Sequence, residues 1–404
     1  MINFSLSKKV IIFGFIFTFF SSFGQSFFLL LFNAPLRNEL GITLGQFGSI
    51  YAIATICSSL LLIWIGKKID DYRLLNYSTF VIILLFLSSL FFSFINSIYL
   101  FAIGIFLMRL SGQGLMSHTS TTTISRFFEK SRGKALSTAW LGLSTAEFIL
   151  PLFVTYLFVV YSWRTVWQGI AVIVIFLLPI ISLSTIKSIN LESREDENLN
   201  FKKVKIKSWK RREVIKDYRF YIISLNLLAM PWIITVIVVY QSFIADSKMW
   251  EAYTIPKAFM VYSITSILTL FSSGFLVDKF TSRKLIPIMN IPALIAMFVL
   301  FYYQNEIFAY ILFGLIGVSN GFGNVLGSST WAEIYGVKYI GSIKSLTTAF
   351  MVFATAFGTG VFGILIDIGF TIENIAFICG VYIFGSLVLL ITFKKTLEPV
   401  KLLN

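Results

Sequence analysis

The sequence predicts an all-α membrane protein that crosses the bilayer twelve times. Of its 404 residues, 57% are hydrophobic and only 13% are charged, too few to give a soluble protein of this length a polar surface. The apolar residues form continuous runs of about 20, the length that a helix needs to cross the hydrocarbon core. Lipid-exposed backbone must satisfy its own hydrogen bonds, so these runs are predicted to be helices. A membrane β-barrel would show short alternating segments instead.

Twelve apolar runs follow one another along the chain. The first begins after Lys8 and Lys9 and is too long for a signal-peptide core, so we interpret it as a retained helix. The ninth is short and contains Pro287 and Pro292, which membrane helices tolerate. The predicted spans are residues 10–32, 45–65, 74–95, 98–124, 135–160, 165–186, 220–243, 255–277, 285–303, 307–330, 341–364 and 372–393.

The basic residues predict the orientation. With both termini in the cytoplasm, only Arg37, Arg164, Lys248 and Lys257 fall near the opposite side, and Arg109 falls within a span. The other lysines and arginines lie at cytoplasmic termini and loops, as the positive-inside rule requires. The net charge of +14 therefore reflects topology, and nucleic-acid binding is not expected. A bacterial inner membrane is the expected location.

The polar stretch in the middle of the chain divides the spans into two sets of six. We predict an N-terminal six-helix bundle at residues 1–186, a cytoplasmic linker at 187–219 and a C-terminal six-helix bundle at 220–404. The linker begins acidic and turns basic. Its lysines are expected to face anionic lipid headgroups.

The two halves of the chain resemble each other. Three short patterns recur at nearly the same separation, each at the corresponding place in its half. Parallel repeats of six helices imply a pseudo-two-fold axis along the membrane normal, with a substrate site between the halves near the midplane. The matching pairs are Gly66-x-x-x-Asp70 with Gly274-x-x-x-Asp278, Gly112-Gln113-Gly114 with Gly321-Phe322-Gly323, and Leu136-Ser137-Thr138-Ala139 with Leu346-Thr347-Thr348-Ala349.

Over essentially its whole length the chain resembles the major facilitator superfamily. The family's glycine–aspartate loop, G-x-x-x-D-[RK]-x-G-[RK]-[RK], occurs after the second and eighth spans. The second copy departs from it at Thr281, and the first departs at Asp71 and Arg73. Ser162-Trp163-Arg164 before the sixth span is also similar to this family. The loop that starts at Arg126-Phe127-Phe128 and continues through Arg132-Gly133 resembles that of the monocarboxylate and oxalate/formate carriers.

The resemblance implies a conformational latch on the cytoplasmic side. Glycines Gly66 and Gly274 would let neighbouring helices approach closely. Asp70 and Asp278 would accept from the N-terminus of a facing helix, and Arg126 and Arg132 are candidate partners of Asp70. The alternative is that both aspartates are solvated loop acids beside basic residues that only set topology.

Charged residues within spans predict the functional centre. A central arginine costs about 2.5–3.5 kcal/mol on insertion scales, so Arg109 is expected to have a purpose. Glu147 lies near the middle of the fifth span, and an ion pair between the two is predicted. In one interpretation the pair only joins two helices. In the other, Arg109 attracts an anionic solute and Glu147 carries a coupled proton.

In the family that the chain resembles, the first, fourth, seventh and tenth helices line the cavity. For each amide, a hydrogen bond between helices is an equal alternative to a solute contact. The implied solute-binding residues are Gln25, Arg109, Gln113, Tyr240, Gln241, Asn320 and Asn324.

Other polar residues are expected to be structural. His118 is interpreted as a hydrogen-bonded helix residue near the cytoplasmic mouth. Lys344 is expected to extend from the inner end of the eleventh span to the headgroups. With a single histidine, no HExxH motif and no cysteine pair, no metal, cofactor or catalytic residue is expected.

These observations predict a secondary carrier that works by alternating access. The expected solute is a small organic anion such as a monocarboxylate, with or without a coupled proton. The expected partners are this solute and membrane lipids, and the chain is expected to act as a monomer. Two alternatives stay open: efflux of a drug or metabolite by proton antiport, and a receptor built on a transporter scaffold.

Overall fold

The computed structural model describes residues 4–128, 131–158, 160–186, 207–251, 254–393 and 398–399. Every regular element within these ranges is helical. Eleven of the described helices are long and apolar enough to cross a membrane. A twelfth, Arg132–Leu157, has 26 residues and corresponds to the predicted fifth span. The prediction of an all-α membrane protein with twelve helices is confirmed.

We number the twelve long helices in chain order. The first six are α1 (Phe4–Ser21), α2 (Leu44–Gly66), α3 (Leu74–Phe92), α4 (residues 98–127), α5 (Arg132–Leu157) and α6 (Trp163–Ile186). The next six are α7 (Tyr218–Val239), α8 (Thr254–Phe280), α9 (Ser282–Met289 and Ile291–Tyr302), α10 (Ile307–Tyr335), α11 (Ile340–Asp367) and α12 (Ile372–Thr392).

We call the two faces of the protein the linker side and the far side. The linker side is the end at which α1 begins and α6 and α12 finish. Most of the predicted linker, residues 187–206, lies outside the described residues. Its last part contains a short helix, Arg211–Ile215, on the linker side. There Arg211 donates to the Ile63 carbonyl of α2 at 3.0 Å, and the Trp209 amide donates to the Tyr335 carbonyl of α10 at 2.9 Å.

The first predicted span is not one continuous helix. After α1 and a 3₁₀ turn at Ser22–Gly24, the chain is extended at Gln25 and becomes helical again at Ser26–Leu29. In α4, Ile98–Met108 and Ser117–Phe127 are α-helical, but Arg109–Met116 between them is a π-helix. Such π-helical segments are rare and are frequent at functional sites.

Buried apolar side chains form three clusters that differ in which halves they join. One cluster belongs to α1–α6 apart from Ala349, and another lies wholly within α7–α12. The third contains residues of both halves, most of them towards the linker-side ends of helices, among them Ile124 of α4, Val277 of α8 and Ile343 of α11. The two halves are thus packed together on the linker side, and each has a separate core towards the far side.

Candidate functional site

Arg109 is buried where both halves meet, with a fractional exposure of 1%. Its guanidinium donates to the Gly24 carbonyl at 3.2 Å and to Ser26 Oγ at 3.1 Å, both in the interrupted first span. It also donates to Thr355 Oγ1 of α11 at 3.4 Å, in the opposite half. The Tyr51 ring lies 5.4 Å away, an arrangement that favours a cation.

The break in the first span positions this arginine. Gly24 packs directly on Gly112 of α4, and a Cβ added to Gly24 would lie 2.8 Å from the Gly112 Cα. Only glycine permits that approach. The break also takes the Gly24 carbonyl out of regular helical bonding, and Arg109 supplies a donor to it.

The predicted ion pair between Arg109 and Glu147 is wrong. Among the described residues, no carboxylate lies within the 4.0 Å ion-pair limit of the Arg109 guanidinium. The reason is helix geometry, because Arg109 faces the break after α1, together with α2 and α11. Glu147 lies on α5, which packs against α8 of the other half. It is at the contact between the halves and outside the cavity described below.

The two predicted glutamines lie close to Arg109. Gln25 is half-buried and sits between Gly24 and Ser26, the two residues of the first span that Arg109 contacts. Gln113 is 5% exposed, and its Oε1 has no hydrogen-bond partner in the described part of the chain. Both remain predictions as solute contacts.

Tyr240 and Gln241 lie apart from the other predicted residues. α7 ends before Tyr240, whose hydroxyl donates to the Thr359 carbonyl of α11 at 2.7 Å. Gln241 is exposed at the start of a short helix on the far side. The structure therefore does not bring this pair together with Asn320 and Asn324.

A cavity that is partly open to solvent lies between the halves. Asn320 and Asn324 of α10 line it, and Asn320 also donates to Ser266 Oγ of α8 at 3.1 Å. Trp140 of α5 lines the opposite wall and donates to Ser328 Oγ of α10 at 3.3 Å. The other lining residues are Ser117, Thr121, Ser224, Leu227, Leu228, Met230, Pro231, Gly323, Gly327, Ser328, Trp331, Lys344, Thr347, Thr348, Phe350 and Met351.

Lys344 is a cavity residue that the sequence interpretation placed wrongly. Instead of extending to the headgroups, it is 3% exposed and points inward from α11. Its ammonium donates to the Thr121 carbonyl at 2.7 Å and to Ser125 Oγ at 2.8 Å, both on α4. The run of small polar residues from Ser117 to Ser125 could have indicated this inward position, because it offers hydrogen-bond acceptors to a buried cation.

On the linker side, Asp70 joins the first half to the start of α11. Its carboxylate accepts from the Gly341 amide at 3.0 Å and from the Ser342 amide and hydroxyl at 2.5 Å each. First-turn amides have no partner within their own helix, so a carboxylate there is well placed. Arg126 of α4 forms an ion pair with the same carboxylate and donates to the Ile69 carbonyl at 3.1 Å.

Asp278 makes the corresponding contact from the second half to the start of α5. It accepts from the Gly133 amide at 2.7 Å and from the Lys134 amide at 3.2 Å. Arg132, a predicted candidate partner of Asp70, donates to the Ser125 carbonyl at 3.2 Å, and its charge acts on Asp278.

The glycines of the two loops show how the halves correspond. A Cβ on Gly66 would lie 2.6 Å from Ser345 Cβ, and one on Gly274 would lie 3.0 Å from Ser137 Cβ. Ser137 and Ser345 therefore occupy equivalent positions in the two halves, and so do Leu136 and Lys344. The predicted match of residues 136–139 with 346–349 is therefore two positions out of register, because short runs of small residues recur along one helix.

His118 belongs to the same contact region. Its Nε2 lies 2.9 Å from the Gly66 carbonyl, and the side chain is 1% exposed. This geometry agrees with its interpretation as a hydrogen-bonded helix residue.

Two six-helix halves, packed together at one face around a cavity lined by both polar and apolar side chains, define a membrane transporter of the alternating-access class. The chain belongs to the major facilitator superfamily, whose sequence profile matches residues 14–255, more than half of the chain. It is thus an integral membrane transporter and not an enzyme. No curated protein has a matching sequence.

Two solved structures share the fold. The human organic anion transporter MFSD10 (TETRAN) superposes with a TM-score of 0.74 at 11% identity, over 95% of this chain and 99% of that one. The proton:xylose symporter XylE, bound to 6-bromo-6-deoxy-D-glucose, superposes with a TM-score of 0.73 at 14% identity, over 98% and 96%. At these identities the likeness is one of fold.

Proposed function

We propose that the protein is a secondary carrier of a small organic anion, such as a monocarboxylate, and that Arg109 binds the anionic group. The observation that carries this proposal is the environment of Arg109. It is a buried cation whose described partners are a carbonyl, two hydroxyls and an aromatic ring, none of them charged. A buried charge without a counter-charge is costly, and an entering anion supplies one.

The surrounding polar groups support the same class of solute. The Arg109 Nε lacks a hydrogen-bond partner among the described residues, so it can still donate to an anion. In the cavity, Asn320 and Asn324 offer amide donors to a carboxylate. The human protein MFSD10, which shares the fold, is an organic anion transporter.

We further propose that the linker side is cytoplasmic, that the chain works as a monomer and that Glu147 couples a proton. Glu147 lies where α5 meets α8, between the halves, so movement of the halves changes its surroundings. Gly66, Asp70, Arg126, Arg132, Gly274 and Asp278 form the proposed latch that keeps the cytoplasmic side closed.

Proton-driven efflux of a drug or metabolite is the second candidate. The observation that favours it is that Glu147 has no ion pair or hydrogen bond among the described residues, as expected for an acid that binds and releases a proton. The two candidate functions predict different results. An organic anion carrier accumulates anions, and a proton-driven exporter extrudes cations.

The test is uptake into proteoliposomes of labelled pyruvate, lactate, formate and oxalate, with and without an inward proton gradient. Wild type, Arg109→Gln and the exposed-loop control Lys338→Gln are compared at equal incorporation. Uptake of one acid that is lost in Arg109→Gln and kept in Lys338→Gln is the expected result. Unchanged uptake in Arg109→Gln contradicts the role of Arg109, and no uptake of any acid favours efflux.

A further inference from the structure

A second buried cation is not used by the function proposed so far. The two hydrogen bonds of Lys344 run from α11 in the second half to Thr121 and Ser125 of α4 in the first half. They are thus a direct connection between the halves on the linker side, at the floor of the cavity. Any opening of that side has to break them.

The partners of Lys344 are weak ones for an ammonium group. Both are neutral oxygens, and the nearby charges that act on Lys344 are the guanidiniums of Arg126 and Arg132. Among the described residues, Lys344 has no ion pair. A carboxylate carries a full negative charge, so it attracts an ammonium more strongly than a neutral carbonyl or hydroxyl oxygen does. An anion in the cavity therefore competes effectively with α4 for this ammonium.

Arg109 and Lys344 cannot hold one small anion at the same time. Arg109 contacts Thr355, which is eleven residues after Lys344 on α11. At 1.5 Å per residue this separation is about 16 Å along the helix axis. Arg109 and Lys344 therefore define two successive binding positions for an anion. Arg109 lies nearer the far side, and Lys344 lies nearer the linker side.

We propose that an anionic solute opens the linker side by drawing the Lys344 ammonium away from Thr121 and Ser125. This inference rests on the proposed function, since it requires an anionic solute. Without the anion, Lys344 joins α11 to α4 and keeps the linker side closed. When the anion reaches the cavity, Lys344 pairs with it, the bonds to α4 are lost, and the halves separate.

The experiment measures the distance between the halves by double electron–electron resonance. Spin labels are placed on Arg73→Cys, after α2, and Lys338→Cys, before α11, both exposed on the linker side. Exposed Cys57 is first replaced by serine, and buried Cys379 is left. Pyruvate, lactate, formate and oxalate are added one at a time to the labelled full-length protein.

In the protein with native Lys344, a transported acid is expected to add a population at longer distance. Lys344→Gln keeps hydrogen-bond donors but has no charge, so it should stay closed and lose the response to the acid. Lys344→Met should show the long distance without any acid. Ser125→Ala should raise the open population and still respond, and Lys279→Gln, which removes an exposed charge, should behave as wild type.

An equal response in wild type and Lys344→Gln overturns the inference. The inference is also overturned if the wild-type protein takes up the acid but the distance between the labels does not change. In both cases the proposed function stands. Failure of uptake itself is the separate result that contradicts the proposed function. An unchanged short distance without acid shows that Lys344→Gln has folded.

Discussion

The two aspartate contacts on the linker side differ in strength, although they occupy equivalent positions in the two halves. Asp70 binds two amides and a hydroxyl of α11 and also forms an ion pair with Arg126. Asp278 binds two amides of α5, and its described contacts include no ion pair. The pseudo-symmetry therefore conserves the helix-terminus contact, and among the described residues only Asp70 of the two also has an ion pair.

Agreement with the loop motif does not indicate how many contacts each aspartate makes. The loop of Asp70 departs further from the family pattern, at Asp71 and Arg73, yet it makes more contacts. Its extra partner, Arg126, comes from the end of α4, far from the motif in sequence. Similarity to a loop pattern does not predict how many groups from other helices converge on it.

The largest effect is expected for Asp70→Asn. This change removes the largely buried ion pair between Asp70 and Arg126, and breaking such a pair costs about 3–5 kcal/mol. The closed linker side should be destabilised and net uptake should fall. Resonance distances between labels at positions 73 and 338, together with uptake rates, measure the change.

A neighbouring acid supplies the control for this prediction. Asp71 is exposed and has only a surface contact with Lys68 at 3.9 Å, so Asp71→Asn should change the closed state by less than about 1 kcal/mol. Equal effects of Asp70→Asn and Asp71→Asn would contradict the assignment of the latch to Asp70.

The next effect concerns the close packing of α2 on α11. The new Cβ of Gly66→Ala would lie 2.6 Å from Ser345 Cβ, and such overpacking costs about 1–3 kcal/mol. The variant should favour separation of the halves. Ser345→Gly in the same chain should restore the short distance, and failure of this rescue would show that the effect lies elsewhere.

A smaller effect is expected for Asp278→Asn. Hydrogen bonds to a charged group contribute about 1.5–3 kcal/mol, and the asparagine oxygen still accepts from Gly133 or Lys134. The shift in resonance distance should therefore be smaller than that of Asp70→Asn. The reverse order would mean that Arg126 does not strengthen the contact of Asp70.

The smallest effect is expected for Trp140→Phe. It removes one hydrogen bond between the halves, to Ser328, and keeps most of the ring. The cost should be about 1 kcal/mol. Thermal unfolding and the resonance distance should change slightly, and Ser328→Ala should give a similar change that does not add to it.

Much of the fold followed from the sequence because its cause is local. Each span needs only a run of apolar residues, and the bilayer thickness sets its length. The positions of Asp70 and Asp278 at facing helices also followed, because the internal repeat placed them in corresponding loops. Asn320 and Asn324 line the cavity, as expected from their shared helix face.

The rest depended on helix rotation, which the apolar pattern does not specify. A membrane helix can be apolar all round, so the sequence did not show that Arg109 faces α11 or that Glu147 faces α8. For the same reason Lys344 was expected at the headgroups and not in the cavity. The break at Gln25 was hidden within a continuous apolar run.

The apolar cluster shared by both halves should make the apparent affinity for solute differ between the two sides of the membrane. Separation of the linker side divides that cluster, which includes Ile124, Val277 and Ile343, and places part of it against water. The open form on that side is then a minor species before any solute binds. A solute arriving from the linker side meets few competent molecules, and its apparent Kd rises by the reciprocal of their fraction. The same solute arriving from the far side bears no such penalty, so its apparent Kd should be lower on the far side than on the linker side.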